Sequence, residues 1–242
     1  VNRLPARMRS PRGSHSGFTI VEIAIVMLIV GLLVGGILKG QELISQARIK
    51  VIIADFSGVS AAYHGYFDRY RALPGDDPRA AQRWITPTVA TDGNGDGEVS
   101  GTYNNGNAPC VATVESCNWW DHLRRGGFLA GSGATPPANW SNGLIGVQTG
   151  DGAVPAGPVL GGAGGTGGIT GLILCSAGLP DKIVSAVDTQ MDDGNRTAGS
   201  LRGILQTAPN PAIPADATAA AVGGASSYVE TGTNFYTICR AM

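Results

Sequence analysis

The stretch Thr91-Asp92-Gly93-Asn94-Gly95-Asp96-Gly97-Glu98 spaces its oxygen-bearing side chains as a calcium loop does. Asp92, Asn94 and Asp96 hold the first, third and fifth positions of an EF-hand-like loop, with glycine at the sixth for the sharp turn. The backbone carbonyl of Glu98 would supply the seventh position and Ser100 the ninth. The twelfth is Tyr103, where a bidentate carboxylate belongs. A solvated Asn/Gly/Asp turn is written in the same letters, so both readings stay open. The four cysteines, Cys110, Cys117, Cys175 and Cys239, lack the close paired spacings of a zinc site. Their even number reads as two disulfides made in an oxidising compartment. Three connectivities are possible. The favoured one closes a small loop with Cys110–Cys117 and ties the C-terminus to the body with Cys175–Cys239.

Catalytic chemistry finds little material. His64 and His122 have no visible serine or cysteine nucleophile as partner. The run from Gly161 to Gly168 lacks the Gly-Lys-Ser/Thr ending of a phosphate loop and reads as a flexible loop. Trp119-Trp120 reads as a core anchor. No enzyme is expected. The first 17 residues carry Arg3, Arg7, Arg9 and Arg12 and no acid, whereas the remainder has 13 basic and 18 acidic residues. A mildly acidic body offers no footprint for nucleic acid.

The remaining charge of interest is Glu22, alone in the apolar stretch from Phe18 to Leu38. Those residues would form a helix of about 30 Å, the thickness of a bilayer core. The basic flank precedes the stretch and the acidic body follows it. By the positive-inside rule this predicts one pass, the N-terminus cytoplasmic and the body exported. A cleaved secretory signal would have a shorter apolar core ending at a small-x-small site, and Lys39-Gly40-Gln41-Glu42 is a poor one. A plain anchor leaves Glu22 unexplained, since an unpaired intramembrane acid costs roughly 2.5–3.5 kcal/mol.

Helical patterning continues past Lys39, with no proline between residues 12 and 73. Ile49, Ile52, Phe56, Val59, Tyr63, Tyr66/Phe67 and Tyr70 recur at steps of three and four, one apolar face of a helix. One helix from residue 18 to about 71 is expected, ending before Leu73-Pro74-Gly75-Asp76. Further helices are expected from Asp77-Pro78 to Ile85, over Glu115–Arg125 and over Leu179–Gln190. Strands are expected at Leu144–Gln148, Ile169–Cys175, Leu201–Gln206 and Asn234–Arg240. A long helix followed by short strands predicts an α+β fold with a small antiparallel sheet across the amphipathic half.

Gly17-Phe18-Thr19-Ile20-Val21-Glu22, behind a basic leader and before a full-length apolar run, resembles the processing signature of type IV pilins and type II secretion pseudopilins. The resemblance implies cleavage by a prepilin peptidase between Gly17 and Phe18, with methylation of the new N-terminus at Phe18. Glu22 would then pair with the N-terminal amine of a neighbouring subunit and set the register of the helices. It also implies an inner-membrane assembly platform and other pilin or pseudopilin subunits as partners. The precursor would sit in the bacterial inner membrane with its head in the periplasm, then enter a filament in the periplasm or at the cell surface.

The organisation expected from this is a leader (1–17), a membrane half of the long helix (18–41), an amphipathic half (42–72) and an α+β head (73–242). Three head segments look like a subgroup of minor-pilin-like or pseudopilin-like proteins with enlarged heads: Tyr70 to Asp77, Trp120-Asp121-His122-Leu123 with Gly126-Gly127, and Met191-Asp192-Asp193-Gly194-Asn195. Many type IV pilins carry a helix-breaking proline where this chain has Gly31, Gly35, Gly36 and Gly40. No cofactor is expected beyond calcium. The alternative reading is a membrane-tethered, exported binding protein that does not polymerise.

Overall fold

Helix α1, Ile20–Tyr70, forms where the proline-free stretch predicts it. The computed structural model describes residues 17–107, 114–217 and 226–242. Helix α1 stops because Arg71 turns into the left-handed region (φ 55°), with its N–H on the Phe67 carbonyl at 2.8 Å. Leu73-Pro74 follows, and the residue before a proline resists the helical conformation.

The chain divides into two units, one ending at Ile44 and one running from Ser45 to Met242. In the first, the helix is apolar on every side, reaches a mean hydropathy of 2.8, and leaves residues 17 to 39 exposed. It is long and apolar enough to cross a membrane. The second begins with the amphipathic part of α1, whose buried residues are Ile49, Ile52, Phe56, Val59, Ala62 and Tyr66. Ala62 holds the place the pattern assigned to Tyr63, which is half-buried and stacks on Trp119 at 5.5 Å.

Four short helices and strands follow before the sheet is complete: α2 (Ala80–Arg83), α3 (Glu115–Arg125), β1 (Ile145–Thr149) and β2 (Leu172–Pro180). Then come α4 (Asp181–Met191), β3 (Leu201–Leu205) and β4 (Phe235–Ala241). The sheet order is β1-β2-β4-β3, antiparallel throughout, so the architecture is α+β. Alternation along the strands gives the sheet two buried faces. Val147, Leu174, Leu201 and Ile238 share a core with Phe56 and Tyr66 of α1, Trp119 and Trp120 of α3 and Val184 of α4. Ile173, Cys175, Ala177, Ile204 and Cys239 meet Tyr103, Leu160 and Ile213 on the other face.

Cys175 and Cys239 are directly opposed on β2 and β4 and form a disulfide, as the sequence favoured. Cys117 is buried in α3; Cys110 lies outside the described residues, and with it the expected Cys110–Cys117 pairing.

Candidate functional site

Two places gather the residues singled out by the sequence, and each is described within its own unit. The first is the start of α1. Gly17 and Phe18 are exposed, Phe18 by 82%. Thr19 precedes the helix, and its backbone N–H and hydroxyl both donate to Oε2 of Glu22, at 2.9 and 2.8 Å. In return Glu22 N–H donates to the Thr19 hydroxyl oxygen at 3.3 Å. This is a reciprocal capping box: Thr at the N-cap, Glu three residues on, two otherwise orphaned N–H groups satisfied. Thr-x-x-Glu before an apolar run was legible as such, and the sequence reading of Glu22 passed over it. Among the described residues Oε1 of Glu22 accepts no hydrogen bond. The carboxylate therefore keeps one oxygen free while the other holds the helix start.

Further along this unit, Gly31, Gly35, Gly36 and Gly40 leave the helix unbroken. A Cβ built at any of them would meet nothing within 4 Å. Among the described residues their small size serves no close contact.

The second place is the Asp92 loop. Two of its four candidate ligand residues hold other segments through their side chains. Asp92 Oδ1 accepts the N–H of Ala81 at the start of α2, at 2.7 Å. Both carboxylate oxygens of Glu98 accept from Ala156 N–H, at 3.3 and 3.1 Å. Asn94 and Asp96 stay together, the Asn94 amide donating to Asp96 Oδ2 at 2.7 Å. The fold brings Asp96 to Asp76 and Glu115, with one ligand oxygen from each lying within 4.8 Å of the others.

Asp76 and Glu115 are buried, and their oxygens are already used to shape the loop. Asp76 accepts from Gly95 and Gly97 N–H at 2.5 and 2.9 Å, and Glu115 from Asn94 and Ser100 N–H at 3.0 and 2.9 Å. Burial pushes the Asp76 carboxyl above its ordinary value, against the pull of those two N–H donors. Three carboxylates are a hard-oxygen set of the kind calcium takes. Five backbone N–H groups meet the oxygens of these three carboxylates in this fold, the fifth being Glu98 N–H on Asp96 Oδ1 at 2.9 Å.

Two glycines explain why the loop can lie so close. A Cβ on Gly93 would stand 2.3 Å from the Asp76 backbone, and one on Gly75 (φ 83°) would stand 2.4 Å from the Glu115 carbonyl oxygen. Substitution at Gly93 would force Leu-Pro-Gly-Asp and Asp-Gly-Asn-Gly apart, and substitution at Gly75 would push Leu-Pro-Gly-Asp off the start of α3. His122 of α3 completes the join. Its Nδ1 accepts the Gly75 N–H at 2.9 Å, so Nε2 carries the proton and donates to the Thr91 carbonyl at 2.8 Å. Burial holds the imidazole below its ordinary pKa, against the opposing effect of the Thr91 carbonyl. His122 is a structural strut between two loops.

Comparison with protein-family models, with curated proteins and with solved structures gives no match. The functional reading therefore rests on the chain's own residues.

Proposed function

We propose that this chain is a structural subunit of a filament of the type IV pilus or type II secretion pseudopilus kind. A prepilin peptidase would remove the leader after Gly17 and methylate Phe18. The subunit would then assemble through its apolar helix, with Glu22 meeting the N-terminus of its neighbour. The observation that carries this reading is the placement of Gly17-Phe18 and Glu22 at the head of a helix whose first part, through residue 39, is apolar on every side and exposed among the described residues. An extended apolar surface of that size calls for lipid or for copies of itself. The four unobstructed glycines add a surface on which helices can approach closely.

The free amine made by cleavage is a cation at a membrane interface. The Glu22 oxygen left open by the capping box is an acceptor for it. The head would lie in the periplasm, where the Cys175–Cys239 disulfide is stable. Minor-subunit status is favoured by a head of about 170 residues, residues 73–242. Retention of Glu22 speaks against the tip-type pseudopilin that lacks it.

Mass spectrometry of protein from sheared filaments tests the reading. The expected N-terminus is N-methylated Phe18. Full-length protein with its leader intact and no filament association would overturn it in favour of a tethered protein that does not polymerise.

A further inference from the structure

The segment Tyr70 to Asp77 runs from the last residue of α1 toward α2. It forms one wall of a pocket of about 490 Å³, a size typical of small-molecule sites, roughly 300–1,000 Å³. Phe67, Tyr70 and Leu73 give the pocket apolar surface, and Arg71, Arg79 and Arg83 line the same space.

Two carboxylates also line it, but their oxygens are occupied. Asp76 takes the Gly95 and Gly97 N–H groups. Asp77 accepts from Arg79 N–H at 2.9 Å, from the Tyr66 hydroxyl at 2.7 Å, and from the Arg83 guanidinium. Asp77 thus neutralises Arg83, which stacks over Tyr70 at 4.7 Å and keeps a buried Nε–H without an acceptor. Arg71 and Arg79 are exposed. The one carboxylate paired with Arg71 is Asp68, 3.8 Å away and itself exposed. Among the described residues Arg79 has no acidic partner within ion-pair distance. Two accessible guanidiniums therefore line a half-apolar pocket, Arg79 with no carboxylate partner among the described residues and Arg71 with one exposed partner at 3.8 Å.

We infer that this pocket binds a carboxylate carried on an apolar body, with Arg71 and Arg79 taking the charge and Phe67, Tyr70 and Leu73 the apolar part. Guanidinium groups suit a carboxylate because their paired N–H donors match its two oxygens. The Asp76 carboxyl, which has no cation partner among the described residues, disfavours a multiply charged anion, so a monoanion is selected over phosphate. A neutral ligand would leave Arg79 without a partner, as before. The site stands whether or not the chain polymerises.

The test titrates the full chain in uncharged detergent micelles, with empty micelles subtracted, using N-acetylphenylalanine. Binding is expected, weakened by salt as an accessible ion pair must be. N-acetylphenylalaninamide and inorganic phosphate should each bind at least about tenfold more weakly, a difference of ~1.4 kcal/mol. The double variant Arg71→Gln/Arg79→Gln should lose about tenfold for the acid, and Phe67→Ala should also weaken it. Equal binding of acid and amide, phosphate binding as tightly as the acid, or no binding of the acid overturns the inference. The amide control uses the native chain, so the inference stays testable if the variants fail to fold. A short peptide ending in phenylalanine separates the two sources of this chemistry. Tighter binding than the free amino-acid derivative, lost on C-terminal amidation, makes the occupant a chain terminus; equal binding makes it a small free carboxylate.

Discussion

Glu22 has one partner within the chain, Thr19, and the proposed filament would give it a second. Within the chain its Oε2 closes the capping box with Thr19, and its Oε1 remains open. The two uses can be separated. Thr19→Val removes the hydroxyl but leaves the carboxylate and its bond from the residue-19 N–H, whereas Glu22→Ala removes the carboxylate and with it both uses. If the pairing with a neighbour governs assembly, sheared-filament yield should collapse in Glu22→Ala and largely survive in Thr19→Val. Equal losses would show that the helix start, not the pairing, is what matters. In the head, His122 gives a pH signature. Its pKa in the folded chain lies below the ordinary 6.5, so the unfolded chain takes up a proton first as the pH falls. Its contribution is full above 6.5 and is lost as the pH drops toward the folded value. The buried carboxyls Asp76 and Asp188 act with the opposite sign, because burial raises both. Their contribution is full below the ordinary 3.8 and fades as the pH rises through their folded values. Urea unfolding isolates the histidine by difference: from pH 7 to 5 the native chain should lose stability relative to His122→Asn, whatever the shared contribution of the carboxyls. His122→Leu leaves the Gly75 N–H buried without an acceptor and should cost about 1–3 kcal/mol before any repacking.

At the scale of elements, the sheet depends on a bond between neighbouring strands rather than on a distant staple. Cys175–Cys239 joins β2 to β4 across 64 residues of sequence, and removing it as Cys175→Ala/Cys239→Ala should cost roughly 2–4 kcal/mol in urea unfolding. An unchanged midpoint would mean that the hydrogen-bond ladder and the core already fix the pairing. Periodicity made most of these elements readable. Helix α3 begins and ends at Glu115 and Arg125, where the charged ends and the glycine pair placed it. Strand β2 differs, because it runs on to Pro180 instead of ending near Cys175. Its register shifts between Ser176 and Leu179, with Gly178 at φ 70°. A glycine that reads as a turn in sequence is here a bulge that lets pairing continue. That continuation takes Leu179 and Pro180 out of the expected start of α4 and pairs them with Tyr236 and Phe235. The candidate site was legible in part. Asp96 was named, but its companions Asp76 and Glu115 come from segments 20 residues before it and 19 after it. No local spacing encodes that meeting, which depends on Gly75 and Gly93 admitting close backbone contact. The side chains of Asp92 and Glu98 also tie the loop to the backbone N–H groups of Ala81 and Ala156, contacts that no local spacing encodes either.

For the molecule as a whole, the two units make opposite demands on their residues. From Ser45 onward the aromatic and aliphatic side chains are spent on a core. Before Ile44 the apolar side chains are exposed, so the stability of that stretch in isolation says nothing about its purpose. The glycines decide what the purpose is. Each costs an isolated helix roughly 1 kcal/mol relative to alanine, and none is excused by a close contact within the chain. Replacing Gly35 and Gly36 by leucine should therefore make the helix more regular and leave membrane insertion of the precursor intact. If these positions are where neighbouring helices meet, the added bulk must hold those helices apart, and filament yield should fall even though the monomer is better folded. Circular dichroism of the purified chain and quantification of sheared filaments from the same strain measure the two quantities independently. Both rising together would mean the glycines relieve no crowding between subunits, and that the apolar helix faces lipid alone.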